Sequence, residues 1–247
     1  MRNVIATEIS NIRRLWVAYQ LLMKQSPRVP ERMGVVCGLS GTGKTTAIAH
    51  LVAQTNSTYV CGSPNWTPTS MLADICVALG LAPVRIAKQM EDAVVERLAM
   101  GRKALFIDEA DFFWSSDSGT RLSKASLRML ETLRSIHDRA MVPVVLIGME
   151  DLERKLAYRQ QLDSRIAQRI RFQPCDVHDA KVLAETCCEI TLSDDLVSEL
   201  YMETVGNIRR LLVVMANLEK EARTQGWESI NLAQFRQVSG KKGGKSK

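Results

Sequence analysis

Residues 38–45 form a glycine-rich loop with the sequence GLSGTGKT, which fits the pattern G-x-x-x-x-G-K-T. An apolar segment, residues 33–37, comes directly before the loop, and a helix-forming segment, residues 46–54, follows it. Glycines in such a loop let backbone N–H groups converge on an anion, and the start of the following helix adds partial positive charge. The strand–loop–helix context therefore predicts a phosphate-binding loop at the carboxyl end of a buried strand.

The residue types of this loop suit a nucleoside triphosphate bound with magnesium. Lys44 is expected to reach the β- and γ-phosphates, and the Thr45 hydroxyl is expected to ligate Mg²⁺. The predicted nucleotide-binding residues are Gly38, Ser40, Gly41, Thr42, Gly43, Lys44, Thr45 and Thr46.

Two adjacent acids, Asp108 and Glu109, follow a second apolar segment, residues 104–107. At the end of such a strand Asp108 is predicted to ligate the magnesium ion, and Glu109 to orient or deprotonate the attacking water. The alternative is a helix N-cap pair, because acids also favour that position. Two independent motifs in this order favour ATP binding with hydrolysis.

Predicted strands at residues 33–37, 58–61, 104–107 and 142–147 alternate with helical segments. Because each strand is apolar throughout, we predict an α/β fold in which helices cover both faces of a parallel sheet. After Pro174 the pattern becomes helical, with segments at 178–189, 193–204 and 207–225 and no convincing strand. The predicted division is an N-terminal helix and linker (1–33), an α/β nucleotide-binding core (34–174), a small all-helical domain (175–238) and a basic disordered tail (239–247).

Composition limits the class of protein. The chain has 247 residues, of which 46% are hydrophobic and 24% charged, as in ordinary globular proteins. With no long apolar run and no signal-peptide pattern near Met1, we expect no membrane partner and a cytoplasmic location. The six cysteines lack metal-ligand spacing and are expected to be core residues. A net charge of +6 favours a polyanionic partner, although it is also compatible with solubility alone.

Two arginine-containing clusters, LDSRIAQRI at 162–170 and GNIRR at 206–210, complete a pattern that resembles the AAA+ superfamily. The resemblance runs from about residue 8 to residue 238 and implies a P-loop core followed by a helical lid. It implies that Arg165, or else Arg169, is an arginine finger for the neighbouring subunit's ATP. It further implies that Arg209 is a second sensor of the γ-phosphate. For each arginine the alternative is an ordinary surface charge.

The chain departs from the AAA+ pattern after the strand at 142–147. Members of that superfamily usually carry a polar residue there to position water, whereas this chain has Gly148 and Met149. We therefore expect slow hydrolysis that is stimulated by assembly.

Within AAA+, the chain resembles the compact target-selection ATPases of transposition, the Mu phage B protein and TnsC-type regulators. The shared features are Gly-Thr-Gly-Lys-Thr-Thr, the short strand at 59–60, Ile-Asp-Glu-Ala-Asp, Val-Leu-Ile-Gly and Gly-x-Ile-Arg-Arg-Leu. This resemblance implies a homo-oligomeric ring or helical filament on double-stranded DNA, without sequence preference, and a transposase partner. The same motifs occur in secretion-associated ExeA-like ATPases and in replication initiators. The first of these groups leaves open an ATPase that powers a protein assembly without DNA. A nucleotide-switched scaffold with little hydrolysis is a further alternative.

Four basic residues are the candidate DNA contacts. Arg85 and Lys88 lie between two predicted core helices, and Arg121 and Lys124 follow the strand that ends in Asp108. Contacts from such side chains to phosphates would be independent of base sequence and sensitive to salt. For any one of the four, a solvated surface charge is the alternative.

Overall fold

The computed structural model describes residues 1–26, 29, 31–114 and 122–242, with side chains up to residue 237. The chain divides into two compact units. The first, the sheet unit, comprises Arg14–Leu39 and Lys44–Phe172. The second, the helical unit, comprises Met1–Arg13, Ser40–Gly43 and Gln173–Lys247.

Helices and short strands account for most of the described residues. The helices are α1 (Ser10–Lys24), α2 (Lys44–Thr55), α3 (Pro68–Ala78), α4 (Ala87–Gly101), α5 (Lys124–Ala140), α6 (Leu152–Ala157), α7 (Gln160–Asp163), α8 (Val177–Cys187), α9 (Asp194–Thr204), α10 (Ile208–Gln225) and α11 (Leu232–Lys242). The strands are β1 (Met33–Gly38), β2 (Thr58–Cys61), β3 (Leu105–Asp108), β4 (Val144–Ile147), β5 (Ile166–Phe172), β6 (Thr191–Leu192) and β7 (Ser229–Ile230). Over this described part of the chain, no helix has the length and hydrophobicity needed to cross a membrane.

The sheet unit is built on five parallel strands in the order β2-β3-β4-β1-β5. Parallel pairing brings the carboxyl ends of all five strands to one edge of the sheet, and β4 lies between β1 and β3. The predicted fold class, a P-loop α/β core with a helical C-terminal portion, is confirmed.

Both faces of the sheet are covered, as the apolar strands predict. On one face Val35, Ile107 and Leu146 belong to a buried cluster with side chains of α3, α4 and α5. On the other face the Tyr19 ring of α1 stacks on Phe106, with ring centroids 6.3 Å apart. Burying each large side chain of this kind contributes roughly 1.5–3 kcal/mol.

Local signals in the sequence explain where the helices of the sheet unit begin. Before α3, the Thr67 side chain accepts a hydrogen bond from the Ser70 N–H, and Ser70 reciprocates in a capping box. Pro68 occupies the first turn, where its missing N–H costs nothing. Ser123 caps α5 in the same way, through the N–H of Ser126.

The helical unit consists of α8 to α11, the two-stranded parallel pair β6–β7, and the first residues of the chain. Ser10 donates from its backbone N–H and its hydroxyl to the buried carboxylate of Asp179. The Asn11 side chain donates to the carbonyl of Gln173, 2.7 Å away. Residues 1–13 therefore pack with the C-terminal helices, although we predicted residues 1–33 as a separate helix and linker.

The predicted strands end at residue 147, and this is wrong because the sheet has a fifth strand, β5, that was not predicted. It includes residues 166–170 of the arginine-containing segment 162–170 and pairs with β1 from Met33 to Gly38. The strand is at the edge of the sheet and alternates buried Ile170 and Phe172 with exposed Arg169 and Arg171. The arginines make the sequence of this edge strand look unlike an apolar strand, and such charges discourage pairing with the edge of another sheet.

The C-terminal portion departs from the prediction in two details. Strands β6 and β7 are present where no strand was expected, but each has only two residues, too few to give a sequence pattern. Helix α11 continues to Lys242, so the first four residues of the predicted tail, 239–242, are helical. Residues 243–247 of that tail lie outside the described part of the chain.

Candidate nucleotide-binding site

The glycine-rich loop leaves the carboxyl end of β1 and leads into α2, which begins at Lys44. The Lys44 ammonium donates to two carbonyls at the start of the loop, those of Gly38 at 2.7 Å and Leu39 at 2.9 Å. Burial lowers the pKa of Lys44, and the neighbouring acids Asp108 and Asp111 oppose that shift. A bound phosphate would give Lys44 a charged partner in place of the two neutral carbonyls.

Asp108, the last residue of β3, lies within hydrogen-bonding distance of the start of α2. The residue is 4% exposed, and its Oδ2 accepts from the Thr45 hydroxyl at 3.2 Å and from the Tyr59 hydroxyl at 2.9 Å. The other oxygen, Oδ1, accepts from the Glu109 backbone N–H at 2.8 Å. A carboxylate and a hydroxyl side by side are hard oxygen donors, so the residues present fit Mg²⁺.

Tyr59 of β2 is a site residue that the sequence did not reveal. Burial raises the pKa of Tyr59, and the hydrogen bond to Asp108 raises it further. The phenol therefore stays protonated near neutral pH and acts as the donor in that bond. The sequence indicated only that Tyr59 belongs to a short strand. Its contact with Asp108 depends on the pairing of β2 with β3, which a local sequence pattern does not show.

Glu109 has the backbone conformation of a strained turn. It is exposed, its φ is 53°, and it leads into the short 3₁₀ helix Ala110–Phe113 without a side-chain capping bond to that helix. The αL region costs a residue other than glycine about 1–2 kcal/mol, and such strain clusters at functional sites. The geometry gives no support to the alternative that Glu109 is simply a helix cap.

The absence of a polar side chain at position 148 has a structural cause. Gly148 follows β4, the strand between β1 and β3, and a Cβ built there would lie 2.3 Å from Oδ2 of Asp111. That oxygen accepts from the Met149 N–H at 2.6 Å, and Oδ1 lies 3.5 Å from the Lys155 ammonium. The Asp111 carboxylate thus occupies the space that a side chain at 148 would need.

Replacing Gly148 with alanine is therefore expected to destabilise the protein by about 2 kcal/mol, the usual cost of overpacking a tight site. For a chain of this size the midpoint of thermal unfolding should fall by about 4–8 °C, as measured by calorimetry. Gly101→Ala is the matched control, because a Cβ at 101 would meet only the flexible side chain of Lys103. Equal midpoints for the two variants would show that Asp111 gives way easily.

In the helical unit, the start of α10 lies against the middle of the glycine-rich loop. Asn207 caps α10 through the Arg210 N–H, and its Nδ2 donates to the Ser40 carbonyl at 3.1 Å. The Arg209 N–H donates to the Gly41 carbonyl at 3.1 Å, and the Arg209 side chain is exposed. Gly41 has φ of 81°, and a Cβ there would lie 2.4 Å from Asn207, so only glycine suits this position. The sequence indicated Arg209 but not Asn207.

The two arginine-finger candidates lie away from Lys44 and Asp108. Arg165 precedes β5 and is therefore at the amino edge of the sheet, opposite the edge where β1 and β3 end. Its Nε lies 3.0 Å from Asp138 of α5, and its side chain is 27% exposed. Arg169, within β5, pairs with Asp163 at 2.8 Å. Arg165 therefore lies at the opposite end of the sheet from the phosphate loop, which leaves the carboxyl end of β1.

The structure describes three of the four candidate DNA contacts, and all three are exposed. Arg85 lies in the segment between α3 and α4, and Lys124 begins α5. Lys88 pairs with Asp92 at 2.9 Å on the surface, a contact too weak to withhold it from a phosphate. Arg121 lies outside the described residues.

The aromatic run that follows Glu109 contributes mainly to the core. Phe113 is 1% exposed and Trp114 5%, whereas Phe112 is 43% exposed.

Five of the six cysteines are buried, the exception being Cys61, and all six are free thiols. The burial of the cysteines matches the core positions expected for them from the sequence.

Comparison with known proteins agrees with this geometry. A family model described as an AAA domain matches residues 28–156, just over half of the chain. No curated protein matches the chain by sequence.

Solved structures with the same fold include two from Aeropyrum pernix and one from Thermotoga maritima. Aeropyrum pernix Orc1 in complex with DNA is 19% identical, with a TM-score of 0.63 over 97% of this chain and 66% of that one. Aeropyrum pernix ORC2, solved as ADPNP–ADP complexes, is 16% identical, with a TM-score of 0.65 over 100% and 72%. The Thermotoga maritima RuvB Holliday junction branch migration motor is 18% identical, with a TM-score of 0.60 over 94% and 70%. At these identities the likeness establishes the fold, and the chain spans about two thirds of the Orc1 chain.

Proposed function

The chain belongs to the AAA domain family, and we propose that it is an ATPase that assembles on duplex DNA when ATP and Mg²⁺ are bound. The observation that carries the proposal is the joining of two distant motifs. The Thr45 hydroxyl of the phosphate loop lies 3.2 Å from the Asp108 carboxylate, and Glu109 follows directly in a strained, exposed conformation.

Each residue of this group has a separate proposed task in hydrolysis. Lys44 binds the β- and γ-phosphates, and Thr45 and Asp108 hold Mg²⁺. The bound ion would neutralise charge on the phosphate oxygens. Glu109 orients the attacking water and accepts its proton. Arg209, whose backbone N–H contacts Gly41, senses the γ-phosphate.

We propose that the protein acts as a homo-oligomer, either a ring or a helical filament. The position of Arg165 at the amino edge of the sheet supports this, because there it can complete only a neighbouring subunit's ATP site. Nucleotide would then bridge Lys44 of one subunit and Arg165 of the next. Hydrolysis would depend on assembly, which agrees with the absence of a polar side chain at 148.

Duplex DNA is proposed as the polyanion that the assembly binds. The net charge of +6 and the exposure of Arg85 and Lys124 support this partner. The structure of Orc1 is that of a complex with DNA, and RuvB is a branch migration motor. On the motif resemblance we further propose that the cytoplasmic assembly directs a transposase to target sites without reading base sequence.

The test is duplex-DNA binding measured by fluorescence anisotropy in ATP, in a non-hydrolysable ATP analogue and in ADP. We expect binding with ATP and the analogue, weak binding with ADP, and no dependence on base sequence. Electron microscopy under the first two conditions should show rings or filaments around DNA. Equal affinity in ADP and ATP, or monomers only, would contradict DNA assembly and favour the ExeA-like alternative.

Removing the candidate DNA contacts tests where the DNA lies. Alanine at Arg85, Lys88, Arg121 and Lys124 is expected to weaken DNA binding and to reduce the salt slope by about 0.9 per lost phosphate contact. Nucleotide binding should be unchanged. The matched control removes the same charge from four exposed arginines elsewhere, namely Arg13, Arg154, Arg171 and Arg223. If both quadruple variants lose the same affinity, binding depends on net charge and these four residues are not the contacts.

A further inference from the structure

We propose that Tyr59 is the positioning residue that orients Asp108 for magnesium. This inference rests on the proposed function, since it assigns a task to a side chain at the same site. It concerns the neighbouring strand β2, which carries no residue of the phosphate loop or of the Asp108–Glu109 pair.

The geometry starts from strand register. Tyr59 pairs with Phe106, two residues before Asp108, and Cys61 pairs with Asp108 itself. From this position the Tyr59 hydroxyl reaches along the strand direction to Oδ2 of Asp108, 2.9 Å away. The Asp108 carboxylate is almost fully buried, so the direction of each hydrogen bond determines how it is held.

Oδ2 of Asp108 accepts from two hydroxyls, those of Thr45 and Tyr59, which differ in their other tasks at the site. Thr45 is also the loop residue whose hydroxyl oxygen would ligate the ion, so the loop and the ion together would set its position. Tyr59 would have no second task, and the Glu109 N–H contacts the other oxygen, Oδ1. Tyr59 is therefore the side chain whose hydrogen bond would serve to position Oδ2.

The direction of the hydrogen bond supports this task, since the Tyr59 hydroxyl donates and Oδ2 of Asp108 accepts. Partners that orient a metal ligand in this way typically change metal affinity by 10–100-fold when they are removed.

The experiment compares Tyr59→Phe with wild type in the full chain. Binding of a fluorescent, non-hydrolysable ATP analogue is titrated with Mg²⁺ and repeated in EDTA. We expect Tyr59→Phe to need at least about 10-fold more Mg²⁺ for half-maximal binding, with binding in EDTA unchanged because the loop and Lys44 are intact. Calorimetry confirms that the variant is folded.

Tyr19→Phe is the matched control. It also removes one hydroxyl from a ring beside the sheet, but that hydroxyl is 3.4 Å from Ser57 and makes no contact with Asp108. Its magnesium dependence should equal that of wild type. In an Asp108→Asn background, Tyr59→Phe should have no further effect on magnesium dependence.

The outcomes separate this inference from the proposed function. If wild type binds the analogue with Mg²⁺ and Tyr59→Phe shows the same magnesium dependence, Tyr59 does not position Asp108. Equal weakening in EDTA and in Mg²⁺, or an added effect in the Asp108→Asn background, would also overturn the inference. If wild type binds no analogue, the proposed function fails instead.

Discussion

Replacing Glu109 with glutamine is expected to keep ATP binding and to lower turnover by roughly 10²–10⁴-fold, the usual contribution of a general base. Glutamine has the same shape as glutamate and can adopt the αL backbone at similar cost, so the turn after Asp108 should persist. What it lacks is the carboxylate that would accept the proton of the attacking water. Steady-state phosphate release gives the turnover, and binding of a fluorescent analogue gives the affinity.

Two further variants make the result specific. Lys44→Ala should lose nucleotide binding itself, because it removes the cation that the phosphates would meet. Glu150→Gln is the matched control. Glu150 is another exposed acid, and it follows the end of β4, the strand next to β3. A normal rate for Glu109→Gln together with a slow rate for Glu150→Gln would move the role of base to Glu150.

The phosphate loop and Asp108 could be predicted because their signals are local. A glycine pattern between an apolar strand and a helix needs no knowledge of the rest of the chain, and residues 33–38 indeed form β1. Four of the five strands of the sheet unit, β1 to β4, could be predicted for the same reason, because each has an apolar sequence. Strand β5 was missed because its exposed arginines give it the polarity of a loop.

The remaining parts of the site depend on contacts between residues far apart in sequence. Asp111 and Met149 are joined by a hydrogen bond across 38 positions, Tyr59 and Asp108 across 49, and Asn207 and Ser40 across 167. No local pattern marks such pairs. Gly148 shows the consequence, since from the sequence its missing side chain indicated only slow hydrolysis. The structure shows a carboxylate from the turn after β3 in that space.

Replacing Arg165 with alanine is expected to lower assembly-stimulated turnover by about 10³-fold or more, as for other arginine fingers. The ion pair between Arg165 and Asp138 does not prevent this role. A partly exposed pair of this kind contributes about 0–1 kcal/mol, whereas a 10³-fold rate effect corresponds to about 4 kcal/mol of transition-state stabilisation. The guanidinium can therefore leave Asp138 for a neighbour's γ-phosphate with a net gain.

Mixing two inactive variants tests whether Arg165 acts between subunits. Lys44→Ala subunits keep Arg165 but bind no ATP, and Arg165→Ala subunits bind ATP but lack the finger. If Arg165 serves the neighbour, their mixture should recover part of the turnover that neither variant shows alone. Arg169→Ala is the parallel variant, because Arg169 pairs with Asp163 within the same chain and is the second finger candidate. Recovery with Arg169→Ala in place of Arg165→Ala, and normal turnover of Arg165→Ala alone, would assign the finger to Arg169. Absence of recovery in both mixtures would mean that neither arginine acts between subunits.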